Sequence, residues 1–305
     1  MSSGLKIMII LFIVFSARAP FPKKVNLSIN SGMSASEIAQ LLKEKDIISG
    51  KNPFLFFLRF TGQAKKIKAG MYNLYTGMNY ITLIKELVSG TNYFIEVTFP
   101  EGFTTEQIGK RLVEKNVIED PEEFVGYVEK KNLRGFLLPE TYKFLPMEKP
   151  KNIVRVMRNQ FFKIFDQKYR KRAEQMEYSL KEVVTIASLI EKEAKVPEER
   201  KIISAIFHKR LKRRIYLESC ASILFALGKH KNRLTYKDLE IDSPYNTYKN
   251  FGLPPTPICN PGRESLKAAL YPADTDYIYF FSKGDGSHVF SSTYREHIRK
   301  QKLLY

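Results

Sequence analysis

Three stretches within residues 25–118 share one register, and that repetition constrains the fold more than any other feature of the chain. Gly32-Met33-Ser34 is followed by Ile38 and Leu42, Gly77-Met78-Asn79 by Leu83 and Leu87, and Gly102-Phe103-Thr104 by Ile108 and Leu112. Apolar residues six and ten positions after each glycine fall on one face of a helix. Ser34 with Glu37, and Thr104 with Gln107, have the spacing of capping boxes, which satisfy the free N–H groups of a first helical turn. Val25–Ile29 and Phe94–Phe99 alternate as strands before the first and third copies. Each copy therefore reads as strand, glycine turn and capped helix. Such a unit is too short to bury a core alone, so the copies are expected to pack together. With no histidine, cysteine or acidic cluster at ligand spacing, nothing in them reads as catalytic, and glycan binding and plain scaffolding both fit.

A chain of 305 residues predicts about two domains. A hydrophobic fraction of 44% with 22 Phe and 17 Tyr excludes a disordered chain. Lys and Arg outnumber Asp and Glu by 50 to 32, a formal charge of +18, so the surface favours polyanions such as an acidic wall polymer or anionic lipid. Two cysteines, Cys220 and Cys259, exclude a disulfide framework and a four-cysteine zinc site. At the N-terminus, Ile7–Ala17 is uninterruptedly apolar. With Lys6 and Arg18 snorkelling, residues 5–21 reach roughly 26 Å, enough for a thinned bilayer. Ala17-Arg18-Ala19 also has the shape of a signal-peptidase site. Residues 1–24 are thus read as a membrane anchor or a cleaved signal, placing the remainder outside the cytoplasm.

In the second half, basic residues alternate with phenylalanines from Asn152 to Glu177, as on a helix with an aromatic face and a solvated basic face. No nucleic-acid signature accompanies them, and no nucleic-acid partner is expected. Leu180–Ala194, LKEVVTIASLIEKEA, carries the strongest helical stripe: Val183, Ile186, Ala187, Ile190 and Ala194. With Val183 at 0° and about 100° per residue, Lys192 points to solvent near 180°, while Glu191 and Glu193 fall near 80° and 280°. The two glutamates flank the buried stripe on opposite sides, where a half-buried carboxyl gains proton affinity by desolvation. Glu191 has small and apolar neighbours, Val184, Ala187 and Ser188, and is the better candidate acid; Glu193 lies towards Glu182. A Glu-x-Glu on an amphipathic helix is also an ordinary surface feature, so periodicity alone does not name an enzyme.

Further on, Tyr245-Asn-Thr-Tyr248 and Gly252–Gly262 form a proline- and glycine-rich loop suited to a cleft, followed by a helix start at Ser265. Asp276–Phe281 and Ser287–Ser291 read as a hairpin around Gly284-Asp-Gly286. His288 near Asp285 and Ser291 lacks the second ligand of a zinc pair, so no metal site and no cofactor are expected.

Taken together, LKEVVTIASLIEKEA, GFLLPETY (135–142), LESCASILFALG (217–228), YNTY, GLPPTPICNPG, SLKAALYPAD, YIYFF and GDGSHVFSSTYREH resemble the YceG-like family, the endolytic murein transglycosylases. The resemblance covers roughly 135–300; the 25–118 repeats resemble, more weakly, the LysM-like unit of that family, whose plan also includes a short membrane anchor. It implies an α+β fold: a membrane segment at 1–24, LysM-like repeats over 25–133, and a mixed α/β catalytic domain over 134–305. It implies cleavage within peptidoglycan strands, leaving 1,6-anhydro-muramic ends, on the outer side of the cytoplasmic membrane and beside the peptidoglycan synthases. Glu191 matches the family's catalytic glutamate. Glu193 and Glu140 are second-tier orienting candidates, and Asn246, Tyr248, Ser265 and His288 are candidate substrate contacts. The chain departs from the pattern at Cys220-Ala221-Ser222, where many relatives have Asp-Pro-Thr. Cys220 and Cys259 each border the implied cleft, which would let them pair in an oxidising compartment.

Overall fold

The computed structural model describes residues 22–30, 32–90, 94–228, 231 and 234–304. The expected membrane segment, residues 1–24, lies almost wholly outside them. Among the described residues, no helix is long and apolar enough to cross a membrane. The chain divides into two compact units, one comprising residues up to Glu96 with Lys143–Glu148, the other Val97–Tyr142 with Lys149–Tyr305.

In the smaller unit, strands β1 (Lys24–Ile29) and β2 (Gly70–Tyr75) pair antiparallel, with Val25 opposite Leu74 and Leu27 opposite Tyr72. Helices α1 (Ala35–Glu44), α2 (Lys51–Phe60) and α3 (Tyr80–Ser89) complete it. Ser34 and Glu37 close the expected capping box on α1, and Asn79 caps α3. The register glycines deliver what their spacing promised: Ile38, Leu42, Leu83 and Leu87 join Leu27, Ile29, Phe54 and Leu58 in one buried cluster. Buried Tyr72 keeps its hydroxyl satisfied by donating to the carbonyl oxygens of Lys68 and Leu87.

The third copy forms its own strand and boxed helix, β3 (Ile95–Thr98) and α4 (Thr105–Glu114, capped by Thr104 with Gln107). From Val97 onward it belongs to the larger unit. The reason is local: the turn after β3 is hydrogen-bonded to Asn260, and α4 packs on α5 (Pro121–Lys130), which packs on α6 (Pro150–Ile164). Strand β4 (Thr141–Phe144) pairs with β3.

The rest of the larger unit is α7 (Gln167–Gln175), α8 (Leu180–Glu193), α9 (Arg200–Lys212), α10 (Cys220–Leu227), α11 (Tyr236–Leu239), α12 (Arg263–Leu270), the hairpin β5 (Tyr279–Ser282) and β6 (His288–Ser291), and α13 (Tyr294–Leu304). Small antiparallel ribbons among many helices make this an α+β protein. The basic aromatic segment is two helices, not one: Asp166 caps a new start at Tyr169 N–H, and Phe161 and Phe165 turn inward while Arg158 and Arg170 stack on Phe162. Helix α8 is the axis of this unit. A Ser179–Glu182 capping box starts it, every residue from Val183 to Ile190 is buried, and α7, α9, α10 and α12 all pack on it.

Candidate active site

The last turns of α8 are fastened to the loop that precedes α12. Ser188 Oγ accepts from Ile258 N–H (3.0 Å) and donates to Thr185 O (2.7 Å), while Cys259 Sγ donates to Ser188 O (3.4 Å). One turn further along α8, Glu191 Oε2 accepts the backbone N–H of Gly262 at 2.9 Å. Gly262 is the N-cap of α12, which begins at Arg263, two residues before the expected start at Ser265. Glu191 is half-buried and Lys192 exposed, as the helical wheel requires. Among the described residues Glu191 forms no ion pair; its partner is a neutral peptide.

A third segment completes the arrangement. Asn260 is fully buried and staples the turn after β3 in place: its Nδ2 and its backbone N–H both donate to Phe103 O, its carbonyl accepts from Gly102 N–H, and its Oδ1 accepts from Leu137 N–H. Gly102 adopts φ +78°, a left-handed turn where a side chain would be strained, and passes along Glu191 and Lys192. The residue before it, Glu101, is thereby delivered to Gly262. A Cβ on Gly262 would sit only 1.9 Å from Glu101 Oε1, so the absence of a side chain there is what admits the carboxylate. The Arg263 backbone N–H also draws on the charge of Glu101. Two glutamates from distant parts of the chain thus face the start of one helix, Glu191 hydrogen-bonded to Gly262 N–H and Glu101 filling the space beside Gly262, where the exposed N–H groups favour negative charge.

Glu101 retains solvent exposure, yet its carboxyl is pressed against this turn. Desolvation, and then the charge of Glu191, push its proton affinity up, against the opposing pull of Arg200 and the Arg263 N–H. The repeats, read as carrying no catalytic group, thus bring one carboxyl beside Glu191. The signal was present: the residue before the register glycine is Ser31 or Thr76 in the first two copies and an acid in the third.

The other candidates fall in distinct places. Glu140 reaches the same helix start through Arg263, at 3.8 Å. Glu193, on the opposite side of the stripe, accepts from Ser219 Oγ (2.5 Å) and from Ala221 N–H (3.3 Å), and so holds the start of α10. Its charge is felt by Tyr248, whose hydroxyl lies 3.3 Å from Cys220 Sγ and whose proton affinity is raised, chiefly by burial. The unusual Cys220-Ala221 pair thus contacts Tyr248 through its thiol and Glu193 through its backbone. Asn246 is buried, with Nδ2 donating to Leu239 O and Ile241 O and Oδ1 accepting from Tyr248 N–H, so its amide is fully engaged in shaping its own loop. Ser265 is buried within α12. His288 is buried against Glu199, Nδ1 to Oε2 at 2.6 Å, with its backbone N–H on the other carboxylate oxygen, which ties the hairpin to the segment before α9. Neither contacts Glu191 or Glu101 by hydrogen bond among the described residues. The cysteines are unpaired: Cys220 is exposed and Cys259 is buried against α8.

Comparison with known proteins gives the family. The model of the YceG-like family matches residues 27–303. The endolytic murein transglycosylase of Bacillus subtilis (strain 168) is 38% identical over 307 residues, covering 92% of this chain and 85% of that protein. The protein of the same name from Streptococcus pneumoniae (serotype 2, strain D39) is 27% identical over 91% of this chain, which spans 58% of that longer relative. A crystal structure of a YceG-like protein from Listeria monocytogenes superposes with a TM-score of 0.59 at 34% identity, over 90% of this chain and 98% of that one. Strand, boxed helix and the α8 glutamate all lie within the matched span, and the chain belongs to the YceG-like family.

Proposed function

We propose that this chain is an endolytic murein transglycosylase in which Glu191 carries the proton. The observation that carries the reading is the setting of Glu191: half-buried at the end of an apolar stripe, held by one neutral backbone donor and outside any described ion pair. Such a carboxyl is oriented by the fold without a counter-ion. Protonated, it gives its proton to the departing glycosidic oxygen. As carboxylate, it then takes the proton of the muramic C6 hydroxyl as that oxygen attacks C1. The ring closes into a 1,6-anhydro end, and no water enters the bond change. The relatives named endolytic murein transglycosylases support the substrate class.

The finer parts of the reading rest on the sequence. Residues 5–21 would hold the chain to lipid, with the larger unit on the outer side of the cytoplasmic membrane beside peptidoglycan synthases. The repeats of the smaller unit would act as a LysM-like glycan-binding module. The +18 charge would add an electrostatic component to wall binding, so retention on purified sacculi should weaken as salt rises.

Glu101 favours a second reading, a muramidase that uses water with two carboxylates. Two-carboxylate hydrolases set their groups on opposite sides of the scissile bond. Glu101 and Glu191 both meet Gly262, one beside its Cα and one on its N–H, an arrangement that approaches from one side and supports the intramolecular route instead. Mass spectrometry of muropeptides released from purified peptidoglycan separates the two. Ends lighter by one water than free reducing ends are expected; free reducing ends alone would reject the transglycosylase reading, and no release would reject both in favour of a wall-binding scaffold.

A further inference from the structure

We infer that Glu101 is a positioning residue of this site, a second carboxyl that shares the Gly262–Arg263 turn with Glu191 and sets the charge beside it. The inference rests on the reading of Glu191 as the acid. Three independent features lead to it. Asn260 fixes the Glu101 turn through hydrogen bonds to Gly102 and Phe103 on one side and Leu137 on the other. Gly262 leaves the space that the Glu101 carboxyl fills, its missing Cβ lying 1.9 Å from Oε1 and 2.0 Å from Cδ. Gly262 N–H donates to Glu191, so the two carboxyls meet at one turn, where each lies in the field of the same helix start.

The charges facing this pair come from every packed element. Arg200 at the start of α9 draws on Glu101, Glu264 in the first turn of α12 opposes it, and Lys192 of α8 stands over the Gly102 turn. Arg263 projects its side chain to Glu140. Burial and the neighbouring carboxylate both favour a proton on Glu101. The charge of Glu191 acts on Glu101, and where two carboxyls interact the limbs of a pH–rate profile belong to both. A charge at position 101 therefore bears on the alkaline limb of the rate.

The test uses the full chain digesting purified peptidoglycan, with kcat/KM followed across pH for wild type, Glu101→Gln, Glu101→Asp and Glu191→Gln. Glu101→Gln should move the alkaline limb to lower pH by about one unit, costing roughly tenfold in rate on that limb and far less at the acid end. Glu101→Asp, which keeps the charge on a shorter arm, should restore most of the limb. A profile scaled down evenly, or unchanged, with the limb in place overturns the inference. Stability supplies the second readout. A carboxyl whose proton affinity is raised on folding makes the folded chain bind more protons, so wild type loses stability as pH rises from the ordinary carboxylate range towards neutral. Glu101→Gln should lack that loss; parallel stability curves would count against the pair. Wild-type digestion by Glu191→Gln would instead overturn the reading beneath it, whatever Glu101 does.

Discussion

Gly262→Ala is the substitution that separates the architecture of the site from the stability of the fold. Its backbone, φ −75° and ψ 175°, is open to any residue, so alanine brings no conformational strain. The three atoms nearest the new methyl all belong to the Glu101 carboxylate, at 1.9–2.6 Å, the far end of a flexible side chain. To reach ordinary contact the carboxyl must retreat by about 1.5 Å, which draws it off the helix start and leaves Glu191 on Gly262 N–H. Alanine is a poorer N-cap than glycine, by about 0.5–1 kcal/mol. The carboxylate's lost attraction to the helix start adds about 0.3–1 kcal/mol, and stiffening the unfolded chain returns about 0.4–1 kcal/mol. The net cost of about 1 kcal/mol corresponds to a fall in Tm of roughly 2–4 °C. Activity should fall far more, by about 10- to 100-fold above neutral pH, the scale expected when a supporting group is misplaced by an ångström or so. Thermal melting and the rate of peptidoglycan digestion measure both quantities. Rates within twofold of wild type would refute the idea that the approach of Glu101 matters, and a Tm collapse would show that the methyl meets something rigid.

Asn260→Ala removes the buried acceptor of the Leu137 N–H and a part-buried donor to Phe103 O. It should cost about 2–4 kcal/mol, seen as a fall in Tm of roughly 5–12 °C. Glu193→Gln keeps an oxygen able to accept from Ser219 and Ala221, so digestion should stay within about tenfold of wild type, against the 10²–10⁴-fold that a general acid contributes. A loss as deep as that of Glu191→Gln would move the proton to the wrong side of α8. For the thiols, an alkylating reagent should label Cys220 alone in the native protein and both cysteines after denaturation, with or without reductant, since Cys220 is exposed and Cys259 buried. Labels that appear only after reduction would mean a disulfide.

What the sequence disclosed was whatever depends on neighbours along the chain. The stripe from Val183 to Ile190 is a property of one helix, and so the opposite placement of Glu191 and Glu193 followed from angle alone. Capping boxes at Ser34 and Thr104 are likewise local. The partnership of copies is not local. The third copy shares the register of the first, yet its turn is claimed by Asn260, 157 residues beyond Phe103, and no periodicity reports such a staple. Glu101 stayed hidden for the same reason. Serine is a favoured N-cap, yet Gly262 holds that position, and the Glu101 carboxylate occupies the room a side chain there would need. Asn246 and His288 carry the polar groups expected of a cleft, and the fold uses them internally, on a loop and on Glu199.

The most direct measurement is the product of digestion by wild type and by Glu191→Gln on the same purified peptidoglycan, read by mass spectrometry. Wild type should release muropeptides with 1,6-anhydro ends, and the isosteric variant, folded to the same Tm within a few degrees, should release almost none. Anhydro products from Glu191→Gln at the wild-type rate would contradict the account, because the group that delivers and retrieves the proton would then lie elsewhere.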